Sequence, residues 1–235
     1  MNAIDYLVLF VFAIAILGGF YHGFVNALLN LFATIIAMIA ALLFSPLLSS
    51  SVKNHQDLYS MLLYYTEGSE YVAATDVELT RVPVSQISSE QLKQVINNAD
   101  MPIPMGDRIS RNVASEVFSG QGITTLGDYF NQTIVCTVIN IFSVLVIFAG
   151  VLIILSLVIR GVEYGRDGFP SLMHGDGLIG AGVGLLQGIL VLFAMFLLVP
   201  VILTVLPKLG TYFNESLLGN FFYRANFLLR MISGT

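Results

Sequence analysis

The scarcest commodity in this sequence is charge. Of 235 residues, ten are Lys or Arg and fifteen are Asp or Glu, a charged fraction of 11% where a soluble domain carries about 25%. Hydrophobic residues make up 56% and the mean hydropathy is +0.84, so the chain is composed for a bilayer. Cysteine is almost absent: the single Cys136 can form no internal disulfide and offers no cysteine set for zinc. His22, His55 and His174 are too widely spaced to form a paired-ligand pattern. The net charge of −5 comes with no basic run, which speaks against nucleic acid. There is no Gly-x-Ser-x-Gly elbow and no Gly-x-x-x-x-Gly-Lys phosphate loop. The expectation is therefore a non-enzymatic protein with no catalytic residue, cofactor or metal.

Long apolar runs are what the sequence does have. A membrane-crossing helix needs roughly 20 mostly apolar residues, because only pairing within the helix satisfies the backbone where water is absent. Four runs qualify: Ile4 to Tyr21, Ala27 to Leu48, Ile134 to Ile159 and Leu178 to Leu206. None has an ionisable side chain deep inside, and Asp5 and His22 fall at the ends of the first, where a polar tip reaches the headgroups. The first run lacks a basic leader and a small-residue cleavage site, so it is expected to be retained. The fold class that follows is an all-α membrane protein of four transmembrane helices, with a mostly helical extracytoplasmic insert between the second and third.

The polar residues divide the chain further. Residues 51–130 hold fifteen of the 25 charges, ten of them acidic, and form the water-exposed insert between a hairpin at 1–50 and the last two spans at 131–206. Leu58, Met61, Leu62 and Tyr65 recur at helical spacing and suit a short helix near the membrane surface. Ser88 and Ser89 ahead of Glu90, Leu92, Val95 and Ile96 predict a capped helix ending near the Asp100 to Pro104 breakers. A third helix is expected from Asp107 to Phe118. Residues 160–176, punctuated by glycine, should form an irregular loop. The tail at 207–235 has Phe213, Leu217, Phe221, Phe222 and Phe227 beside Lys208, Arg224 and Arg230, the pattern of an amphipathic interfacial helix; packing against the insert is the alternative. Short-loop basic residues are nearly balanced, Arg160 and Arg166 against Lys53 and Lys208, and the acidic insert tips the orientation. It places residues 51–130 and both termini outside and the 160–176 loop in the cytoplasm.

Within the spans, Gly180, Gly184 and Gly188 recur every four residues on one helix face, and Gly19 and Gly23 repeat the spacing at the first turn. Glycine lets two backbones approach closely in lipid, which gives no hydrophobic drive for helices to associate. These five are the candidate helix-packing residues, against another span, a second copy of the chain or a pore. Asn26, Asn30, Asn140 and Gln187 are the candidate intramembrane polar residues, expected to turn inward. They could orient a bundle or line a substrate path, and Pro200 is where a transporter-like fourth helix would divide.

The stretch Ile4-Asp5-Tyr6 through Gly23-Phe24-Val25, followed by Leu29 and Leu31, resembles the opening hairpin of the CvpA, or colicin V production protein, family. Gly177-Leu178-Ile179-Gly180, continuing through Gly184 to Gly188-Ile189-Leu190, resembles its last span. His22, Asn26, Ala27 and Gln187 depart from the charged residues frequent there, and the insert is longer than in many members. The resemblance implies a bacterial inner-membrane protein linked to toxin production and envelope maintenance, with no chemistry of its own. The bilayer is then the certain partner, beside a second copy or an envelope or secretion protein. Accessory or scaffold is the leading role, and a small transporter or channel subunit is the alternative.

Overall fold

The computed structural model describes residues 2–66, 68–74, 76–99, 101–165 and 175–235. Among them no strand occurs; one antiparallel bridge, Pro83 to Thr125, is the nearest approach to a sheet. Three helical stretches are long and apolar enough to cross a membrane. The first is α1, Ala3–Lys53. Shorter helices follow: α2 Gln56–Thr66, α3 Glu70–Ala73, α4 Ser89–Asn98 and α5 Met105–Ala114. The second long stretch is α6, Leu126–Gly165, and the third combines α7, Asp176–Met195, with α8, Leu198–Val205.

Helix α1 is not one straight rod. Gly23 sits at φ 77°, ψ 176°, a backbone region essentially confined to glycine, and it separates the two apolar runs read from the sequence. A straight helix of α1's 51 residues would be about 76 Å long, more than twice the ~30 Å hydrocarbon core. Helix α7 gives way to α8 at Phe196 and Leu197, and Pro200 lies in the first turn of α8, where its missing N–H leaves no gap in the ladder. The helix therefore divides just ahead of Pro200. Residues 160–165, expected to belong to a polar loop, are instead the last turns of α6. Arg166 and His174 lie outside the described residues.

Contacts group the chain into two units, one of Met1–Ser45, Ser143–Val199 and Lys208–Leu228, the other of Pro46–Phe142, Pro200–Pro207 and Leu229–Thr235. The first unit presents bare apolar surface, with Phe10, Leu43, Ile154 and Leu157 all more than half exposed. Only 22% of the most apolar stretch of α6 is buried by protein, a surface that water would penalise and lipid accepts. Its own core is aromatic: Phe222 of α10, Leu217–Arg224, stacks against Phe12, Phe193 and Phe196.

The second unit has a conventional core in which Leu92, Val95, Met105, Ile109, Tyr129, Phe130 and Ile134 cluster. Helix α4 starts at a capping box, in which the Ser88 hydroxyl accepts from the Gln91 N–H and the Gln91 side chain accepts from the Ser88 N–H. Helix α6 begins at Leu126, ahead of the apolar run, because its first turns are core: Leu126, Tyr129, Phe130 and Ile134 are fully buried. Asn131, which opens an Asn-x-Thr triplet, is held inside this packing by the Gly68 N–H and the Leu63 carbonyl. The tail forms three short helices, α9 Gly210–Glu215, α10 and α11 Phe227–Met231, where the sequence suggested one.

Candidate functional site

The five candidate packing glycines fall in the first unit, and four of them share one seam. A Cβ on Gly19 would come within 2.8 Å of the Gly180 carbonyl carbon and 3.2 Å of the Gly184 Cα. A Cβ on Gly184 would come within 3.1 Å of the Ala15 carbonyl carbon, and one on Gly188 would meet Ala15 and Phe12 side chains. Backbone therefore lies on backbone from Ala15 to Gly23 against α7. Gly23 ends the seam beside Asp176, in the first turn of α7. Gly18 and Gly182, by contrast, face open space.

Beside the seam the same unit holds a cleft of about 490 Å³, within the 300–1,000 Å³ range of small-molecule sites. Three of the four candidate polar residues line it: Asn26, Asn30 and Gln187. Asn30 donates its amide N–H to the Asn26 carbonyl at 3.0 Å and to the Asn26 side chain, and Thr34 continues the chain onto the Asn30 carbonyl at 2.9 Å. Gln187 makes no hydrogen bond to a described residue. One end of the cleft carries charge. His22 Nδ1 lies 3.5 Å from the Glu163 carboxylate, and Arg160 stands one helical turn away. At the other end Val11, Ile14, Val191 and Met195 close it with hydrocarbon.

Asn140 is placed elsewhere, in the second unit. Its amide donates to the Ser233 carbonyl at 2.8 Å and the Thr235 carbonyl at 3.1 Å, and its oxygen accepts from Lys53 Nζ at 2.9 Å. It belongs to a clamp on the tail that also includes Asn112, donating to the Gly234 carbonyl at 2.9 Å, and Arg108, donating to the Arg230 carbonyl. Burial pulls the Arg108 guanidinium below its ordinary value, with Arg111 adding to the effect and Asp107 opposing it.

Asp5 is a further residue whose place the sequence misled. It is 1% exposed instead of reaching headgroups. Its carboxylate accepts from the Ser216 hydroxyl at 2.6 Å and the Leu218 N–H at 3.0 Å, at the N-terminus of α10, where helix dipole and free N–H groups favour an anion. Glu163 was equally unmarked, since its partner His22 is distant in sequence.

Among known proteins, the colicin V production protein family matches residues 4–75. That stretch includes the opening segment through Gly23-Phe24-Val25 on which the resemblance was drawn; the glycine ladder of α7 lies beyond it. No curated protein and no solved structure matches the chain.

Proposed function

We propose that this is a four-span protein of the bacterial cytoplasmic membrane that serves, without chemistry of its own, as an accessory or scaffold in toxin production or export or in envelope upkeep. The observation that carries the reading is the match of residues 4–75 to the colicin V production family, on a chain with three long apolar helical stretches. The break at Gly23 supports a fourth crossing, because it splits α1 into two segments each long enough to span. The seam from Ala15 to Gly23 then makes the spans a rigid frame, and the acidic insert, placed outside the cytoplasm, is the part left to meet an envelope or secretion partner.

The test is deletion of the gene from its host, with release of peptide toxin and outward leakage of a periplasmic enzyme as readouts. Reduced toxin release or increased leakage, reversed by the wild-type chain and not by one lacking residues 77–121, is the expected result. Unchanged release and unchanged leakage would refute it.

A second reading, a small transporter or channel subunit, is favoured by one observation: Asn30 and Gln187 line a common cleft with His22 and Glu163. Against it, Asn140 is spent on the tail. Solute or ion flux through vesicles holding the purified chain distinguishes the two, and the accessory reading expects none above protein-free vesicles.

A further inference from the structure

The lining of the cleft changes in a regular order along its helices. His22 and Glu163 meet at one end, and the adjoining Gly23 and Asp176 mark the same end of α1 and α7. From there α1 runs from His22 to Val11 and α7 from Asp176 to Met195, at about 1.5 Å per residue. The charged groups, Arg160 and Glu163, thus stand at the end. The Asn26 and Asn30 amides come next, about 5 to 10 Å in, Ile14 and Val11 follow at roughly 12 and 16 Å with Gln187 at the depth of Val11, and Val191 and Met195 lie deeper still. Arg160 and Glu163 are three residues apart on α6, neighbours on the helix surface with side-chain roots about 5–6 Å apart. Arg160 has no ionic partner among the described residues, and Glu163 has only the half-exposed His22. On the cleft's own lining the end therefore offers one cation and one anion side by side, the amides offer donors and acceptors without charge, and beyond Gln187 the lining is hydrocarbon.

That order is the order of a zwitterionic phospholipid: phosphate and ammonium, then ester carbonyls, then acyl chain. We propose that this cleft is a binding site for a phospholipid whose headgroup carries a primary ammonium. Its phosphate pairs with Arg160, its ammonium with Glu163, its ester carbonyls face the Asn26 amide, and one chain runs along Ile14 and past Gln187 to Val191 and Met195. An anionic headgroup without an ammonium leaves Glu163 facing phosphate unpaired, so the site discriminates by charge pattern. The volume accommodates headgroup and glycerol, and the chains continue over the exposed Ile14 surface into lipid. The proposal rests on the cleft and on the chain being membrane-embedded, and is independent of the accessory role.

The full chain, reconstituted in nanodiscs of equal phosphatidylethanolamine and phosphatidylglycerol and then extracted into mild detergent, is assayed by native mass spectrometry for retained lipid. Wild type is expected to retain phosphatidylethanolamine about tenfold over phosphatidylglycerol, the equivalent of one charge-assisted hydrogen bond. Glu163→Gln should bring the ratio near one and Arg160→Gln should lower retention of both lipids several-fold, whereas Tyr164→Phe, on the exposed side of the same turn, should change neither. Equal retention by wild type, a ratio unmoved by Glu163→Gln, or total retention unmoved by Arg160→Gln would overturn the proposal. A parallel arm measures thermal stabilisation by millimolar alanine, a free zwitterion. Stabilisation by alanine that both variants abolish, with no lipid preference, would reassign the cleft to a soluble zwitterion and overturn the lipid assignment.

Discussion

Alanine at Gly19 or Gly184 should loosen the first unit, whereas alanine at Gly18 or Gly182 should not. These four positions share composition, helical context and hydrophobic surroundings, and differ in what a Cβ meets. At Gly19 it would lie 2.8 Å from the Gly180 carbonyl carbon, and at Gly184 it would lie 3.1 Å from that of Ala15, where ordinary contact begins near 3.4 Å. A side chain could rotate away; a backbone carbonyl cannot. The two helices must therefore part by roughly half an ångström, enough to forfeit a quarter of each dispersion contact along the seam, and overpacking of this kind costs about 1–3 kcal/mol. Alanine at Gly18 or Gly182 meets nothing within 4 Å and gains up to about 1 kcal/mol of helix propensity. The pairs should thus separate by about 2 kcal/mol or more, read as midpoints of thermal unfolding in detergent. Four variants with equal midpoints, or Gly18→Ala as damaging as Gly19→Ala, would refute the reasoning.

Other expectations follow from the same contacts. Gly23→Ala should cost about 1–3 kcal/mol, since φ 77° and ψ 176° lie in a region open essentially to glycine alone, and the same thermal assay checks it. Asp5→Ala leaves the Ser216 hydroxyl and the Leu218 N–H without their acceptor. A loss of about 1–3 kcal/mol should appear as faster proteolysis at the exposed Leu217, with Asp5→Asn milder. Asn140→Leu removes both bonds to the tail carbonyls, and amide hydrogen exchange at residues 229–235 should accelerate about tenfold or more, each factor of ten standing for 1.4 kcal/mol, with residues 3–20 unaffected.

The apolar runs were legible because bilayer thickness imposes a length that any such sequence must show, and the break at Gly23 falls between two of them. The seam glycines were legible as a spacing, since Gly180, Gly184 and Gly188 share a face; which backbone they meet was not, because Ala15 and Gly19 carry no mark of their partner. The capping box at Ser88 was visible as serine ahead of helical spacing. What stayed hidden depends on pairings between residues far apart. Asp5 meets Ser216 and Asn140 meets the tail across many intervening residues, and nothing local in either segment announces them. Asn140 carries the same intramembrane amide as Asn26 and Asn30, yet it serves a different purpose, holding the tail. Glycine at 161 and 165 reads as punctuation in the sequence, whereas α6 carries both in helical geometry.

On the topology proposed here, α1 crosses the membrane twice, turning at Gly23, and the insert lies outside. Single cysteines at the exposed Tyr21 and at Gly120, in a chain whose native Cys136 is replaced by serine, test it most directly in intact cells. A membrane-impermeant maleimide should label position 120 at once and position 21 only after the cytoplasmic side is opened. Labelling of both from the same side, or position 21 unreactive under every condition as it would be mid-bilayer, would contradict it.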